Sequence, residues 1–261
     1  MVTIALRLLE RPESTGTFLL FFPDAKDALQ TSRALLEQGL LPVALEYMDD
    51  GAMRCVRKHG FRDLPRRDGH LLIVELCGEQ RTIRRQVGLI EELARSGGGE
   101  FLRQAWQSPE RQTIWAVRRA LSPAMSHAAR KKYSQDVCVP PDAVGRLLAR
   151  IGEIGGRRGL DVIVFGHLGD GNIHVNTMTN GSPVQEKRAR TVVEEVFQAV
   201  LSLQGTLTGE HGVGLQRMPY LSWELSAPTL DAHRKVKAAF DPGHLLNPGK
   251  ISDPSATRPV S

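Results

Sequence analysis

The stretch Gly166-His-Leu-Gly-Asp-Gly-Asn-Ile-His174-Val-Asn176 decides the fold, because an apolar run leads into a strong turn signal. The run Asp161-Val-Ile-Val-Phe165 consists mostly of β-branched and aromatic residues and predicts a buried strand. Asp170-Gly171 is typical of a two-residue type I′ turn, which needs positive φ at both central positions. The sequence therefore predicts a β-hairpin that turns at Asp170-Gly171.

That turn sets the pairing register by counting, so that Leu168 faces Ile173 and His167 faces His174. Directly opposed side chains share one face of the ribbon, with Cβ atoms about 4.5–5.5 Å apart. Two imidazoles in that position would form half of a metal site. The alternative is that each histidine is an ordinary core or surface residue.

A second glycine-flanked stretch, Thr208-Gly-Glu-His-Gly212, adds a carboxylate and a third imidazole. Two histidines and one glutamate, with a fourth position open to substrate, are a common catalytic zinc set. His167, His174 and Glu210 are therefore candidate ligands. The neighbouring His211 would then be free to act as a base.

Composition narrows the class of protein. The 261 residues allow one large domain or two small ones, and 41% of them are hydrophobic. A net charge of +5 permits an anionic substrate, while 5% aromatic content argues against stacking on single-stranded nucleic acid. The sequence shows neither a long apolar span nor a signal-peptide pattern. The three cysteines, none spaced as Cys-x-x-Cys, favour a reducing compartment, by default the cytoplasm.

Strands and helices alternate with short connections, which predicts an α+β fold. We expect a strand from Val2 to Leu9, another from Thr17 to Phe22, and a helix that Asp24 caps. A long helix should run from Val184 to Gln204, and the polar tail from Ser252 should be frayed. The sequence shows no internal repeat.

Four pieces in this order resemble one family, the C-terminal domain of FAD-linked oxidases related to vanillyl-alcohol oxidase. They are Trp115-Ala-Val-Arg118, Asp136-Val-Cys-Val-Pro140, the histidine hairpin with Gly209-Glu-His-Gly212, and Asp241-Pro-Gly-His-Leu-Leu-Asn-Pro-Gly-Lys250. The members that the chain most resembles are the flavin subunit of glycolate oxidase, D-lactate dehydrogenase and D-2-hydroxyglutarate dehydrogenase. The resemblance implies a ferredoxin-like antiparallel sheet covered by helices, with a helical C-terminal segment.

The resemblance also implies roles for particular residues. The hairpin histidines and the turn glutamate would bind a divalent metal, usually zinc, and His211 would be the general base. Contacts to the carboxylate of a small 2-hydroxy acid, or to substrate and flavin, fall on four residues: Arg118, Ser122, Lys132 and Asn247.

In that family a flavin-binding domain precedes the region matched here, and the sequence predicts that this chain lacks it. Residues 1–251 would form the substrate domain and 252–261 a disordered tail. FAD would then be bound mainly by a domain missing from this chain, and the chain alone would oxidise nothing. Expected partners are a separate flavin-binding subunit or an iron–sulfur electron-transfer subunit, with no nucleic acid.

Two other functions fit the same residues. A metal-dependent hydrolase would use His167, His174 and Glu210 with bound water. A non-catalytic binding subunit would keep the fold and tolerate the loss of His211. The substrate stays open among glycolate, D-lactate and longer 2-hydroxy acids.

Overall fold

The computed structural model describes residues 3–8 and 10–250, and the tail predicted from Ser252 lies outside them. The strands are β1 Ser14–Phe22, β2 Ala44–Met48, β3 His70–Gly78, β4 Glu100–Ala105, β5 Lys131–Cys138, β6 Val162–His167 and β7 Asn172–Thr179. They form a seven-stranded antiparallel sheet in the order β4-β1-β3-β2-β6-β7-β5. The predicted α+β class is confirmed.

Ten α-helices are described between and after these strands. They are α1 Ala25–Glu37, α2 Asp50–Lys58, α3 Gln80–Ser96, α4 Ser108–Arg119, α5 Leu121–Ala128, α6 Val144–Arg158, α7 Pro183–Ser202, α8 Gly214–Arg217, α9 Leu221–Glu224 and α10 Ala227–Phe240. No helix among the described residues is long and apolar enough to cross a bilayer.

The chain divides into two compact units, which are Met1–Ala129 with Phe165–Gly169, and Arg130–Val164 with Asp170–Ser261. In the first unit β1 pairs with both β3 and β4, and β2 pairs with β3. The resulting order, β4-β1-β3-β2, is the ferredoxin-like arrangement of a split βαβ motif. Fully buried Phe18, Phe21 and Leu72 lie in its core.

The second unit follows the same connectivity. Its elements run β5, α6, β6, β7, α7, and β7 pairs with β5. An isolated antiparallel bridge between Cys138 and Thr206 stands where a fourth strand would lie. The two units thus repeat one topology, although the sequence shows no repeat. Their likeness lies in the order and pairing of their elements.

Helix boundaries follow the predicted local signals. Asp24 caps α1 by accepting a hydrogen bond from the Lys26 amide, as the sequence indicates. Helix α7 begins after Ser182, which caps it, and buries Val192, Val196 and Val200 at helical spacing.

The strand predicted from Val2 to Leu9 is wrong over residues 3–8, which are irregular and exposed. Val2 and Leu9 lie outside the described residues. Alternating apolar residues favour a strand only where a sheet edge is available. β1 is the first strand, and both of its edges already pair with β3 and β4.

The predicted type I′ turn is also wrong. Gly171 has a φ of +75°, but Asp170 is not among the described residues with positive φ, so the two cannot form that turn. The strands are instead separated by a four-residue turn over 168–171, and the Asp170 carboxylate accepts a hydrogen bond from the Asn172 amide. The Met178 amide donates to the Asp161 carbonyl at 2.9 Å. Asp161 therefore lies beside Met178. The predicted two-residue turn would have placed it beside Asn180.

Asp241 closes the segment after α10 through its carboxylate. Lys237 pairs with it, and the amides of Leu245 and Leu246 each donate to it at 2.9 Å. These partners, the Lys237 ammonium first, lower the pKa of Asp241 to about 2. A carboxylate whose folded pKa is depressed stabilises the folded state above its unfolded pKa of about 4.

We therefore expect the stabilising effect of Asp241 to be complete above pH 4 and to be lost as the pH falls through 2. Hydrogen exchange of the Leu245 and Leu246 amides, followed against pH, measures this directly. Asp241→Asn should remove most of their protection at pH 7. The matched change Asp231→Asn, in a more exposed ion pair with Lys235, should leave it unchanged. Equal protection in both variants would contradict the assignment.

Candidate functional site

Two paired strands of the second unit bring Asp136 and His174 together. Asp136 in β5 lies directly opposite His174 in β7, and both residues are buried. Opposed residues project from the same face of the sheet, so their side chains are neighbours. His174 Nδ1 lies 3.5 Å from Asp136 Oδ1. A buried carboxylate therefore stands beside one of the predicted metal ligands.

The turn with Glu210 and His211 is fixed to the same carboxylate. Asp136 Oδ2 accepts hydrogen bonds from the amides of Gly209, Glu210 and His211 at 3.1, 3.0 and 2.9 Å. Charge-assisted hydrogen bonds of this kind are stronger than neutral ones. One side-chain oxygen thus fixes the position of the backbone that carries the Glu210 and His211 side chains.

The turn is held from its other end by Arg217. This buried residue donates from Nη1 to the Gly212 carbonyl at 2.9 Å, and Thr208 Oγ1 donates to the same carbonyl at 3.0 Å. Gly212 itself has a φ of +74°, a conformation that L side chains rarely adopt. The turn is therefore held by hydrogen bonds at both ends.

Four donor groups converge at this point: Asp136, His174, Glu210 and His211. One nitrogen or oxygen from each lies within 4.8 Å of the others. Glu210 Oε1 is 3.7 Å from His174 Nε2 and 3.5 Å from His211 Nε2, and the two imidazoles stack 5.5 Å apart.

This group fits a divalent cation by its donor chemistry. Imidazole nitrogens and carboxylate oxygens suit zinc and related metals. Asp136 Oδ1 is buried yet accepts no hydrogen bond from the described residues, and a nearby cation would compensate such an oxygen. The side chains of Glu210 and His211 remain 50% and 59% exposed, so one side of the group is open to a ligand.

Asp136 stays anionic in this setting. Burial alone raises the pKa of a carboxyl group, but here the His211 and Glu210 amides and then the nearby imidazoles outweigh burial and lower the pKa of Asp136. The group therefore has a fixed negative charge at its buried end.

The first unit holds a second polar cluster around Glu46. This glutamate is buried, lies directly opposite His167 in the β2–β6 pair, and contacts His167 Nδ1. Arg118 donates from Nε to Glu46 Oε2 at 2.6 Å, and its guanidinium lies 4.4 Å from the centre of the Phe165 ring. Burial raises the pKa of Glu46, but His167 and then Arg118 outweigh it and lower the pKa.

The structure thus brings together His174, Glu210 and His211 from the predicted set and places Arg118 with His167 in the first unit. The other three predicted substrate contacts are Ser122, Lys132 and Asn247. Ser122 is exposed in α5, and Lys132 is half-buried in β5 with its pKa lowered by burial. Asn247 is exposed in the segment after α10 and has a φ of +48°.

Sequence reasoning assigned no role to Asp136 or Glu46. Each is an acidic residue within an otherwise apolar strand segment, Asp136-Val-Cys-Val139 and Ala44-Leu-Glu-Tyr-Met48. A carboxylate at a buried strand position needs a partner, because burying an unpaired charge is costly. That signal is present in the sequence and indicates that both residues need a partner, although it does not say which one.

Comparison with known proteins shows the family of this chain. Residues 11–251 match the family model "FAD linked oxidases, C-terminal domain". The chain is 29% identical to "Glycolate oxidase subunit GlcD" of Bacillus subtilis, over all of this chain and 56% of that protein. It is 29% identical to "Probable D-lactate dehydrogenase, mitochondrial" of Danio rerio, over 97% of this chain and 51% of that protein. The chain spans about half the length of these relatives.

A solved structure shares the fold. The 4-ethylphenol oxidase of Gulosibacter chungangensis matches with a TM-score of 0.68 and 15% identity, over 96% of this chain and 56% of that one. The family match covers more than nine-tenths of the chain, and the predicted resemblance is confirmed. This chain belongs to the family of C-terminal domains of FAD-linked oxidases.

Proposed function

We propose that this chain is the substrate- and metal-binding part of an FAD-dependent 2-hydroxyacid dehydrogenase of the glycolate or D-lactate type. The observation that carries the proposal is the convergence of Asp136, His174, Glu210 and His211 in a chain whose relatives bear those enzymes' names. The oxidation of a 2-hydroxy acid needs a group that binds the carboxylate, a group that receives the hydroxyl proton and a hydride acceptor. FAD, when bound, supplies the acceptor.

The proposed metal is zinc or manganese, held by His174 and Glu210 in the second unit. A divalent cation supplies Lewis acidity toward an oxygen of the substrate. His167, the third predicted ligand, belongs to the first unit, and its participation stays a prediction. The exposure of the Glu210 side chain supports access by a small ligand.

His211 is the proposed base for the substrate hydroxyl. Its side chain is 59% exposed, and the hydrogen bond from its backbone amide to Asp136 fixes the position of its backbone. A neutral imidazole can accept a proton on its unprotonated ring nitrogen, which suits the removal of the hydroxyl proton. Glu210 Oε1, at 3.5 Å from His211 Nε2, would stabilise the imidazolium that proton removal produces.

Arg118 is the proposed carboxylate-binding residue. Its Nε donates to Glu46, and its two Nη groups are the proposed fork for the substrate carboxylate. The Phe165 ring lies beside the guanidinium and helps to fix its plane. Ser122, Lys132 and Asn247 stay predicted secondary contacts. The chain has three cysteines, none spaced as Cys-x-x-Cys, which supports a reducing compartment, and we propose the cytoplasm.

The proposal is tested by metal content. We expect the protein purified without chelator to contain about one divalent cation per chain, because the predicted ligands, two histidines and one glutamate, suit a single ion. Elemental analysis measures the content, and isothermal titration of the metal-stripped protein gives the affinity. His167→Ala and His174→Ala, made separately and together, show which histidine contributes.

His233→Ala is the matched control, since His233 is exposed in α10 and is not part of the four-donor group. The control should bind metal as the wild type does, and the double variant should not. Equal metal content in the wild type and the double variant would remove the site. Hydrolysis of an ester or amide by the chain without flavin would favour the hydrolase instead.

A further inference from the structure

We propose that Asp136 is the positioning residue of this site, because one carboxylate oxygen holds the Glu210–His211 turn and the other lies beside the His174 ring. The inference deepens the proposed function and rests on it, since it concerns the same metal and base. Its evidence is the geometry of one side chain that is 1% exposed.

The first half of the role belongs to Oδ2. Three successive amides, those of Gly209, Glu210 and His211, donate to this single oxygen at 2.9–3.1 Å. A Cβ on Gly209 would lie 2.6 Å from the Asn172 side chain, so this position of the turn has room only for glycine. The turn backbone is therefore set before any ligand arrives, which is the preorganisation that a binding site requires.

The second half belongs to Oδ1. This oxygen is buried, and His174 Nδ1 lies 3.5 Å away, while His174 Nε2 faces Glu210 Oε1 at 3.7 Å. An anionic oxygen beside Nδ1 favours the tautomer with its proton on Nδ1. That tautomer leaves the lone pair on Nε2, the nitrogen on the side of Glu210, where a metal would bind.

Replacing the carboxylate by its isosteric amide separates the two roles. In Asp136→Asn the amide oxygen is expected to face the three turn N–H groups, because they need an acceptor. The amide NH2 then faces His174 Nδ1, which must accept, and the ring proton moves to Nε2. A protonated Nε2 cannot bind a metal, so the turn should survive while the ligand is lost.

The experiment compares the wild type, Asp136→Asn and Asp136→Ala in the full chain. Nitrogen-15 NMR of the metal-free proteins gives the His174 tautomer, hydrogen exchange gives the protection of the Glu210 and His211 amides, and zinc titration gives the affinity. We expect the wild type to have the proton on Nδ1. The Asn variant should keep amide protection, move the proton to Nε2 and bind zinc 10–100-fold more weakly. The Ala variant should also lose the protection.

Asp142→Asn, an exposed carboxylate paired with Arg146, is the matched control and should behave as the wild type in all three measurements. Wild-type zinc affinity in Asp136→Asn would overturn the inference. So would an unchanged Nδ1–H tautomer in a variant that had lost zinc, because Asp136 would then be a direct ligand. An Nε2–H tautomer of His174 in the metal-free wild type would overturn the inference by itself, without data from any variant.

The tautomer and the amide protection are measured without metal, so they test Asp136 independently of the proposed function. Failure of the wild type to bind zinc would count against the proposed function alone.

Discussion

His211→Ala is expected to lower the rate of 2-hydroxy-acid oxidation by about 10²–10⁴-fold, the usual contribution of a positioned acid–base group. The chain is assayed with a flavin-binding domain supplied as a separate polypeptide or by fusion, with glycolate and D-lactate as substrates. The loss should appear in the turnover number, because an alanine at this position removes the proton acceptor. The metal content should stay near that of the wild type, since Glu210 and not His211 is the proposed ligand.

Glu210→Ala separates the two neighbouring residues. This variant should lose metal and activity together, whereas His211→Ala should lose activity alone. His233→Ala controls for the removal of an exposed imidazole. Near-normal turnover in His211→Ala would place the base elsewhere. The next residue to test would be His244, which is exposed in the segment after α10.

Gly171→Ala should destabilise the protein by about 2–5 kcal/mol. The residue has a φ of +75°, and an alanine in this left-handed conformation costs about 1–2 kcal/mol. Its Cβ would also lie 1.9 Å from the Val139 carbonyl oxygen, a backbone atom that cannot rotate away. The shift that relieves this overlap costs about 1–3 kcal/mol more. It would also strain the hydrogen bond from the Val139 amide to the Gly171 carbonyl.

Urea unfolding measures this loss, and Gly152→Ala is the matched control. Gly152 lies in α6 of the same unit, is exposed, and has no atom within 4 Å of the position that a Cβ would take. The control should stabilise the protein by about 0.5–1 kcal/mol, because alanine favours a helix more than glycine does. Similar midpoints for both variants would mean that the hairpin turn does not pack against Val139.

Local signals in the sequence predicted much of the fold, because caps and apolar periodicity act over a few residues. The Asp24 cap of α1 and the apolar face of α7 are two examples. The same signals failed where a distant segment decides the outcome. Asp170-Gly171 favours a tight turn by itself, but Gly171 packs on Val139, which lies across the unit.

The candidate site shows the same limit. His174, Glu210 and His211 are recognisable from residue type and glycine spacing, and the structure brings them together. Asp136 joins them through the β5–β7 register and three backbone amides. Neither of these follows from a sequence motif, because both depend on which strands pair. The shared topology of the two units was not predicted for a similar reason. Two units can have the same order of strands and helices without any repeat in their amino-acid sequence.

Strand β6 bears on how the chain is made. Its last residues, within Phe165–Gly169, belong to the first unit, whose other residues end at Ala129. During synthesis, β2 therefore lacks its β6 neighbour, and the 3% exposed Glu46 lacks His167, until the ribosome has made residues 130–164 of the second unit. An N-terminal fragment ending at Ala129 would keep an open strand edge and a buried carboxylate with one partner fewer. The first unit is thus completed only when residues Phe165–Gly169 have been made, after the first segment of the second unit.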